Sequence, residues 1–161
     1  MQNRLNPSKI LNEEEALGRA AALCSQRECC ISEISQKLSG WGQTDAASQR
    51  IIDYLIKERY IDEERFCRVY ALDKLRYNHW GRLKISQMLR SLGVSEAHRN
   101  AALSALPEDE YTDILRTLIR QKLPSIKARS NYERNGKLLR FLAGRGFETT
   151  LACSLLGVEF D

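Results

Sequence analysis

Long apolar runs are absent from this 161-residue sequence, and proline, histidine and aromatic residues are scarce. No stretch approaches the roughly 18 consecutive apolar residues of a membrane-spanning helix, which argues against a membrane protein of the helical class. Only three prolines interrupt the chain, which leaves room for long helices. No apolar segment follows the first residues as it would in a secretory signal, so we expect a cytoplasmic protein without membrane contact.

The cysteine pattern does not match a disulfide framework or a metal site. The five cysteines are odd in number, two are adjacent, and none belongs to a CxxC pair or a Cys/His cluster with ligand spacing. We therefore predict reduced, mostly buried thiols and no zinc. The five are Cys24, Cys29, Cys30, Cys67 and Cys153.

Motifs of the common enzyme classes are also missing. The sequence contains no Walker-type glycine-rich loop, no GxSxG elbow and no HExxH helix. The acidic pairs 13–14 and 63–64 lie at predicted helix starts, where the helix dipole already favours them. We expect a protein with no catalytic residues and no cofactor.

A weak internal sequence repeat is the most informative feature that is present. Three glycines recur at a spacing of about 50 residues, each preceded four positions earlier by Leu and followed two positions later by a polar or acidic residue. A helix that ends at Gly, followed by the N-cap of the next helix, is the pattern of a helix–turn–helix junction. The three copies are Leu38–Gly42–Thr44, Leu89–Gly93–Ser95 and Leu142–Gly146–Glu148.

Apolar residues at helical spacing predict nine helices in three groups and no convincing strand. The fold class is therefore predicted as all-α, with tandem three-helix, helix–turn–helix-like repeats that form an elongated, curved array. The predicted organisation is an N-terminal tail at 1–11 and repeats at 12–60, 61–106 and 107–161.

The junction between the first two groups contains several residues with a structural interpretation. We expect Asp62 to cap the following helix and Arg65 to bridge to a neighbour. Phe66 and Tyr70 are one turn apart and are typical of core positions.

Positive charge is concentrated in two windows, although the net charge is only +4. From 74 to 95 there are five basic residues and no acidic one, and from 115 to 147 there are nine basic residues against Glu133 alone. Basic helices with interleaved aromatic residues suit a polyanion, because each contacted phosphate releases condensed counterions. An ordinary solvated helix face and an acidic protein partner are the alternatives that charge alone leaves open.

The candidate contact residues are ten of the fourteen basic side chains of these windows, with an electrostatic role toward phosphates or acidic protein surfaces. Trp41 and Trp80 stand at junctions and fit either an inward or an interface position. The candidates are Lys74, Arg76, Arg82, Lys84, Arg90, Arg116, Arg120, Lys122, Arg140 and Arg145.

Four motifs follow one another along the chain: CISEISQKL (30–38), YIDEERF (60–66), GRLKI (81–85) and LAGRGF (142–147). In order and spacing they resemble the successive signatures of the RecX family of bacterial regulators of the RecA recombinase, and the resemblance covers roughly residues 12–157. Within the first motif, Cys30 stands where the family usually has Ser or Thr, which predicts a weakly capped helix start.

The resemblance implies a regulator that binds the RecA–DNA filament and inhibits the ATPase, strand-exchange and coprotease activities of RecA. It also implies binding of single- or double-stranded DNA, and we expect a monomer. Two alternatives stay open from the residues alone: a stand-alone helical DNA-binding protein that competes for DNA, and a helical protein–protein adaptor.

Overall fold

The computed structural model describes residues 9–158, and these are helical without any strand. The all-α prediction is confirmed. The described part contains nine α-helices and one 3-10 turn at Leu123–Ser125, where Pro124 follows the end of α7. The helices are α1 (Glu13–Gln26), α2 (Ile31–Gly40), α3 (Asp45–Lys57), α4 (Glu63–Asn78), α5 (Arg82–Ser91), α6 (Glu96–Ser104), α7 (Glu108–Lys122), α8 (Asn131–Gly144) and α9 (Thr149–Leu156).

Packing divides the chain into two compact units. Unit 1 extends to Phe66 and unit 2 begins at Cys67, so the division falls inside α4. The fold is the predicted succession of three-helix repeats, while the predicted repeat boundaries at 60/61 and 106/107 stay a prediction.

Unit 1 is built on the packing of α1, α2 and α3 around one apolar cluster. Ile34 and Leu38 of α2 are fully buried, as is Leu55 of α3. These positions repeat at the three- and four-residue spacing of one helix face, which is why the sequence pattern predicts them as core. α1 begins with a capping box, in which the Asn12 side chain accepts from the Glu15 N–H at 2.8 Å.

The start of α2 is capped by residues outside the usual N-cap position. Cys30 is the N-cap residue, as the motif predicts. The carboxylate of Glu33 accepts the Cys30 N–H at 3.3 Å, and that of Glu63 accepts the Ile31 N–H at 3.2 Å. Two acidic side chains thus satisfy the backbone donors of Cys30 and Ile31, which are not the N2 and N3 donors that a Ser or Thr cap would bond.

The predicted roles of Asp62, Arg65 and Phe66 at the first junction are confirmed. The Asp62 carboxylate accepts the Arg65 N–H at 3.1 Å, and this hydrogen bond lowers the pKa of Asp62. Arg65 itself bridges to Glu28, with 2.5 Å between guanidinium Nε and carboxylate Oε1. Phe66 is buried in the core, whereas Tyr70 is only half-buried.

Unit 2 places α5 against α6 and α8 against α9. Its largest fully buried side chains come from α4, α5, α7, α8 and the α8–α9 turn, and they form the apolar core of the unit that carries the basic side chains. They are Leu75, Ile85, Leu89, Tyr111, Leu115, Leu138, Leu142 and Phe147.

The three repeated glycines terminate their helices as predicted. Gly42, Gly93 and Gly146 have φ values of +81°, +76° and +88°, the left-handed region that L-residues with a side chain rarely adopt. In each turn the N–H of the residue after Gly bonds to the carbonyl of the Leu four positions before Gly, which is the Schellman arrangement. The buried Leu and the glycine therefore belong to one local motif.

All five cysteines are free, and four are buried, as predicted. Burial raises the pKa of the half-buried Cys24 thiol to about 12 and also raises that of Cys29. These thiols are held in their unreactive protonated form. Within the described residues, no helix is long and apolar enough to cross a membrane.

Candidate cationic interface

All ten predicted contact residues lie in unit 2, and none of their side chains is buried. Their surroundings divide them into cations that contact aromatic rings, cations that pair with carboxylates of the same unit, and cations with no such partner. The helices that carry them are α4 (Lys74, Arg76), α5 (Arg82, Lys84, Arg90), α7 (Arg116, Arg120, Lys122) and α8 with its C-cap (Arg140, Arg145).

A first cluster of cations surrounds Trp80. The ammonium groups of Lys74 and Lys84 lie 5.1 and 4.6 Å from the centroid of its ring system. His79 creates this arrangement, because its φ of +53° reverses the chain after α4 and lets the Trp80 N–H bond to the Lys74 carbonyl at 3.1 Å. Lys74 also lies 5.3 Å from the Tyr70 ring centroid. Cation–π attraction thus holds two ammonium groups at one half-buried indole.

A second cluster surrounds Phe141 on α8. The ammonium group of Lys122 lies 4.6 Å from the ring centroid, and the guanidinium of Arg145 lies at 5.5 Å. Arg145 also donates to the carbonyl of Asn78 at 2.9 Å, and its own carbonyl accepts the Gly81 N–H at 2.8 Å. Because Asn78 and Gly81 flank the Trp80 turn, Arg145 connects the two aromatic clusters within unit 2.

The start of α5 is built against the turn after α8. Gly81 is the N-cap of α5 without a side-chain cap, and the Leu83 N–H bonds instead to the Gly146 carbonyl at 3.0 Å. A Cβ added at Gly81 would stand under 3.0 Å from backbone atoms of Gly146 and Phe147, and one added at Gly146 would meet Lys84 as closely. Two glycines therefore allow a direct backbone contact that fixes where Lys84 projects.

Arg82 lies at the centre of an internal polar network. Its guanidinium pairs with Glu108 and with Glu148, the latter at 3.3 Å, and lies 3.8 Å from the Tyr111 ring centroid. Tyr111 accepts the Arg82 N–H at 3.0 Å and donates its own hydroxyl proton to Glu148 at 2.6 Å. Only 19% of the Arg82 side chain is exposed. The carboxylates of Glu108 and Glu148 therefore largely neutralise its positive charge within unit 2.

Tyr111 is the buried member of this network. Its ring is fully buried and packs 5.3 Å from the Phe147 ring. Burial raises the pKa of its hydroxyl well above the usual value, and the hydrogen bond to Glu148 adds to that effect. Tyr111 is therefore a neutral donor that orients the Glu148 carboxylate toward Arg82.

Two more of the predicted cations pair within the unit. Arg76 binds Glu110 through two hydrogen bonds of 2.6 and 3.0 Å, which links α4 to α7 and lowers the pKa of Glu110. Arg116 pairs with Asp113 one turn earlier on α7, at 3.2 Å. All four side chains are substantially exposed, so these pairs contribute little stability and mainly orient the side chains.

The remaining predicted cations keep their charge available. Arg90 and Arg140 are exposed and form no ion pair with any described residue, and Arg120 contacts only the Thr117 hydroxyl at 3.3 Å. Together with the two aromatic clusters, they are the members of the predicted set whose charge no described carboxylate neutralises. Contact of any of the ten with a partner stays a prediction.

Sequence reasoning missed the polar network of Tyr111 and Glu148, because the repeat pattern predicted Glu148 only as an N-cap. Glu148 does occupy the N-cap of α9, but its side chain turns to Arg82 and Tyr111 and makes no capping bond. In the two other copies, Thr44 and Ser95 cap their helices through the side chain. The signal available was the change from a short hydroxyl residue to Glu in the third copy.

Within residues 9–158 there is no group of three or more histidine, cysteine, aspartate or glutamate side chains placed to hold a metal ion.

Comparison with family models gives two matches. Residues 62–103 match the second three-helix domain of RecX, and residues 108–156 match its third three-helix domain. Together the matches cover more than half of the 161 residues.

Several proteins with the name "Regulatory protein RecX" are similar to this chain. The one from Vibrio parahaemolyticus is 28% identical over 91% of this chain and 89% of its own length. The one from Chlorobium limicola is 28% identical over 85% of this chain and 84% of its own length. The one from Clostridium tetani is 29% identical over 71% of this chain, and this chain spans only 53% of that protein.

Two solved structures share the fold. The crystal structure of RecX from Lactobacillus salivarius superposes with a TM-score of 0.81 at 16% identity, covering 90% of this chain and 94% of that one. A second crystal structure, of a regulatory protein RecX, gives a TM-score of 0.75 at 18% identity, covering 86% of this chain and 70% of that one.

Proposed function

Since the chain belongs to the RecX family of regulatory proteins, we propose that it binds the RecA–DNA filament and inhibits the recombinase. The proposed inhibition covers ATP hydrolysis, strand exchange and coprotease activity of RecA. In this proposal the protein acts in the cytoplasm as a monomeric binding protein and catalyses no reaction itself.

The observation that supports this proposal best is the pair of aromatic clusters joined through Arg145. Lys74 and Lys84 at Trp80, with Lys122 and Arg145 at Phe141, concentrate four positive charges that no described carboxylate neutralises. A nucleoprotein filament offers repeated phosphates and acidic protein surfaces, and both attract such a surface. Aromatic rings beneath the cations reduce their freedom and lower the entropic cost of binding.

Arg76 and Arg82 take a different part in the proposal. The ion pairs of Arg82 with Glu108 and Glu148 help to hold the helices that carry the available cations. The exposed pair of Arg76 with Glu110 mainly orients its two side chains. We therefore assign contact with the filament first to the cations without a described carboxylate partner, which are Lys74, Lys84, Arg90, Arg120, Lys122, Arg140 and Arg145.

The test is ATP hydrolysis by RecA on single-stranded DNA, measured with increasing amounts of this protein. We expect hydrolysis to slow and to stay slow when free DNA is added in excess, because the target is the assembled filament. Unchanged hydrolysis at saturating protein would contradict the proposal.

The same assay separates filament binding from competition for DNA. A protein that only covers DNA would lose its effect when excess DNA is added, and its affinity for DNA would fall steeply with salt whether or not RecA is present. If the protein binds the RecA filament more strongly than bare DNA at the same salt concentration, the result favours regulation through the filament over competition for DNA.

A further inference from the structure

A small basic pocket lies in unit 2 between the end of α7 and the middle of α8. It is shallow and open to solvent, with a volume of about 450 Å³. Three lysines, one hydroxyl and two apolar side chains line it: Lys122, Ser125, Ile126, Lys127, Lys137 and Phe141. Lys127 and Lys137 were not among the ten predicted contact residues.

The loop that forms one wall of the pocket is held in place by α8. The Lys137 ammonium donates to the Lys127 carbonyl at 2.6 Å. The Glu133 carboxylate accepts the Arg129 N–H at 3.0 Å and pairs with Lys137 at 2.9 Å. Two side chains of one helix thus fix the backbone of residues 127–129, and the position from which the Lys127 side chain starts is set before any ligand arrives.

The charge of the pocket is not balanced. Glu133 is the one acidic partner of its lysines among the described residues, and it pairs with Lys137. Lys122 and Lys127 have no carboxylate partner in the described part of the chain, and Lys122 lies instead against the Phe141 ring at 4.6 Å. Two unpaired ammonium groups that line one concavity favour an anion with several oxygen acceptors.

Lysine at these positions is compatible with phosphate. Ammonium groups act as point charges that can approach a tetrahedral oxyanion from several directions, whereas the planar fork of arginine suits two-point contact with either carboxylate or phosphate. The pocket also lies within the stretch 115–147, where nine basic residues stand against Glu133 alone. A basic stretch of that length suits an anion that repeats along a polymer.

We propose that this pocket receives a backbone phosphate of a nucleic-acid strand, which Lys122 and Lys127 bind. The choice of a nucleic acid as the source of the phosphate rests on the proposed function. A free nucleotide offers the same chemistry, so the experiment must separate these two sources.

The direct test is amide NMR of the full chain during titration with four probes. An oligothymidylate of about 12 nucleotides should shift the amide signals of residues 125–129, and the same oligomer with an uncharged methylphosphonate backbone should not. An oligoglutamate of similar charge should leave these signals in place. ATP that saturates the shifts at a lower concentration than the oligothymidylate would overturn the backbone assignment, and so would equal shifts with oligoglutamate or no shift at all.

A pair of charge-matched variants tests the lysines. Lys122→Gln with Lys127→Gln should weaken oligothymidylate binding about tenfold and abolish the shifts at 125–129. Lys37→Gln with Lys57→Gln removes the same charge from unit 1 and should weaken binding less than about threefold. Equal losses for the two variants would overturn the proposal.

Failure of this inference can be told apart from failure of the proposed function. If the wild type slows ATP hydrolysis by RecA but its pocket amides do not respond to the oligomer, the phosphate site is refuted and the proposed regulation of RecA is retained. If the amides respond and hydrolysis by RecA is unaffected, the phosphate site is retained and the proposed function is refuted.

Discussion

Gly81 and Gly146 touch backbone to backbone, where the start of α5 meets the turn after α8. A Cβ at Gly81 would stand under 3.0 Å from the carbonyl of Gly146, and the Leu83 N–H donates to that same carbonyl at 3.0 Å. Through this contact, residues 65 positions apart in the sequence determine together how Lys84 and Arg145 are placed.

Gly81→Ala should lower the free energy of unfolding by about 2–3 kcal/mol, because the clash involves backbone atoms that cannot move aside. Urea denaturation measures the effect. Gly136→Ala is the matched control, since no described atom outside the local helix lies within 4 Å of its added Cβ. In the interior of α8 that control should stabilise the fold by about 0.5–1 kcal/mol. Equal stability of the two variants would contradict the backbone contact.

Gly93→Ala and Gly146→Ala separate backbone strain from crowding. Both glycines have a φ near +80°, but among the described residues only Gly146 has neighbours within 4 Å of an added Cβ. We expect Gly93→Ala to cost about 1 kcal/mol, the usual cost of the left-handed conformation. Gly146→Ala should cost at least about 1 kcal/mol more because Lys84 is in the way. Thermal denaturation of the two variants side by side decides the matter, and identical melting temperatures would argue against crowding.

Tyr111→Phe removes the hydroxyl that joins Arg82 to Glu148. The Arg82 N–H and the Glu148 carboxylate each lose a partner, and we expect a loss of about 1–3 kcal/mol in unfolding free energy. Tyr77→Phe is the control, because Tyr77 is 80% exposed and should change stability by less than about 0.5 kcal/mol.

The same variant changes the response to alkali. The pKa of Tyr111 is raised in the folded protein. Its contribution to the free energy of unfolding is therefore complete below its pKa in the unfolded chain, about 10, and is lost as the pH rises above that value. Wild type should therefore lose stability more steeply than Tyr111→Phe between about pH 10 and 11. Parallel slopes would show that Tyr111 is not protonated more tightly in the folded protein.

Asp62 should contribute to stability in a pH-dependent way. Its pKa is lowered chiefly by the hydrogen bond from the Arg65 N–H, so its contribution is present above the unfolded value of about 3.8 and is lost as the pH falls below it. Asp62→Ala should cost about 1 kcal/mol at pH 7, and less at pH 3. Asp62→Asn keeps a capping oxygen without the charge, so its stability should vary less with acid than that of wild type. An Asp62→Ala cost that does not change between pH 7 and pH 3 would contradict the assignment.

Helices and turns were predictable here because their causes are local. The Leu–Gly spacing sets each Schellman turn within six residues, and Asp62 caps a helix that begins at the next residue. The pairing of Arg82 with Glu148 joins residues 66 apart, and no periodicity in the sequence specifies it. For that reason Arg82 was grouped with the available cations, although its charge is used within unit 2.

The basic windows also predicted which part of the chain is cationic, but not how the charge is arranged. The sequence places Lys74, Trp80 and Lys84 in one window, and only the reversal at His79 brings both ammonium groups to the indole. Likewise, Lys127 and Lys137 line one pocket only because the loop after α7 folds back onto α8.

The most direct test of the account is the affinity for RecA–single-stranded DNA filaments of the wild type and of Lys74→Gln with Lys84→Gln, measured by co-sedimentation over a range of salt. Both lysines lie at Trp80 without a described acidic partner, so we predict at least tenfold weaker binding by the variant. The slope of log affinity against log salt concentration should also become shallower, by up to about 0.7–0.9 for each phosphate contact that is lost. Lys37→Gln with Lys57→Gln removes the same charge and should bind nearly as wild type does. Wild-type affinity and salt dependence in the Lys74/Lys84 variant would contradict the account.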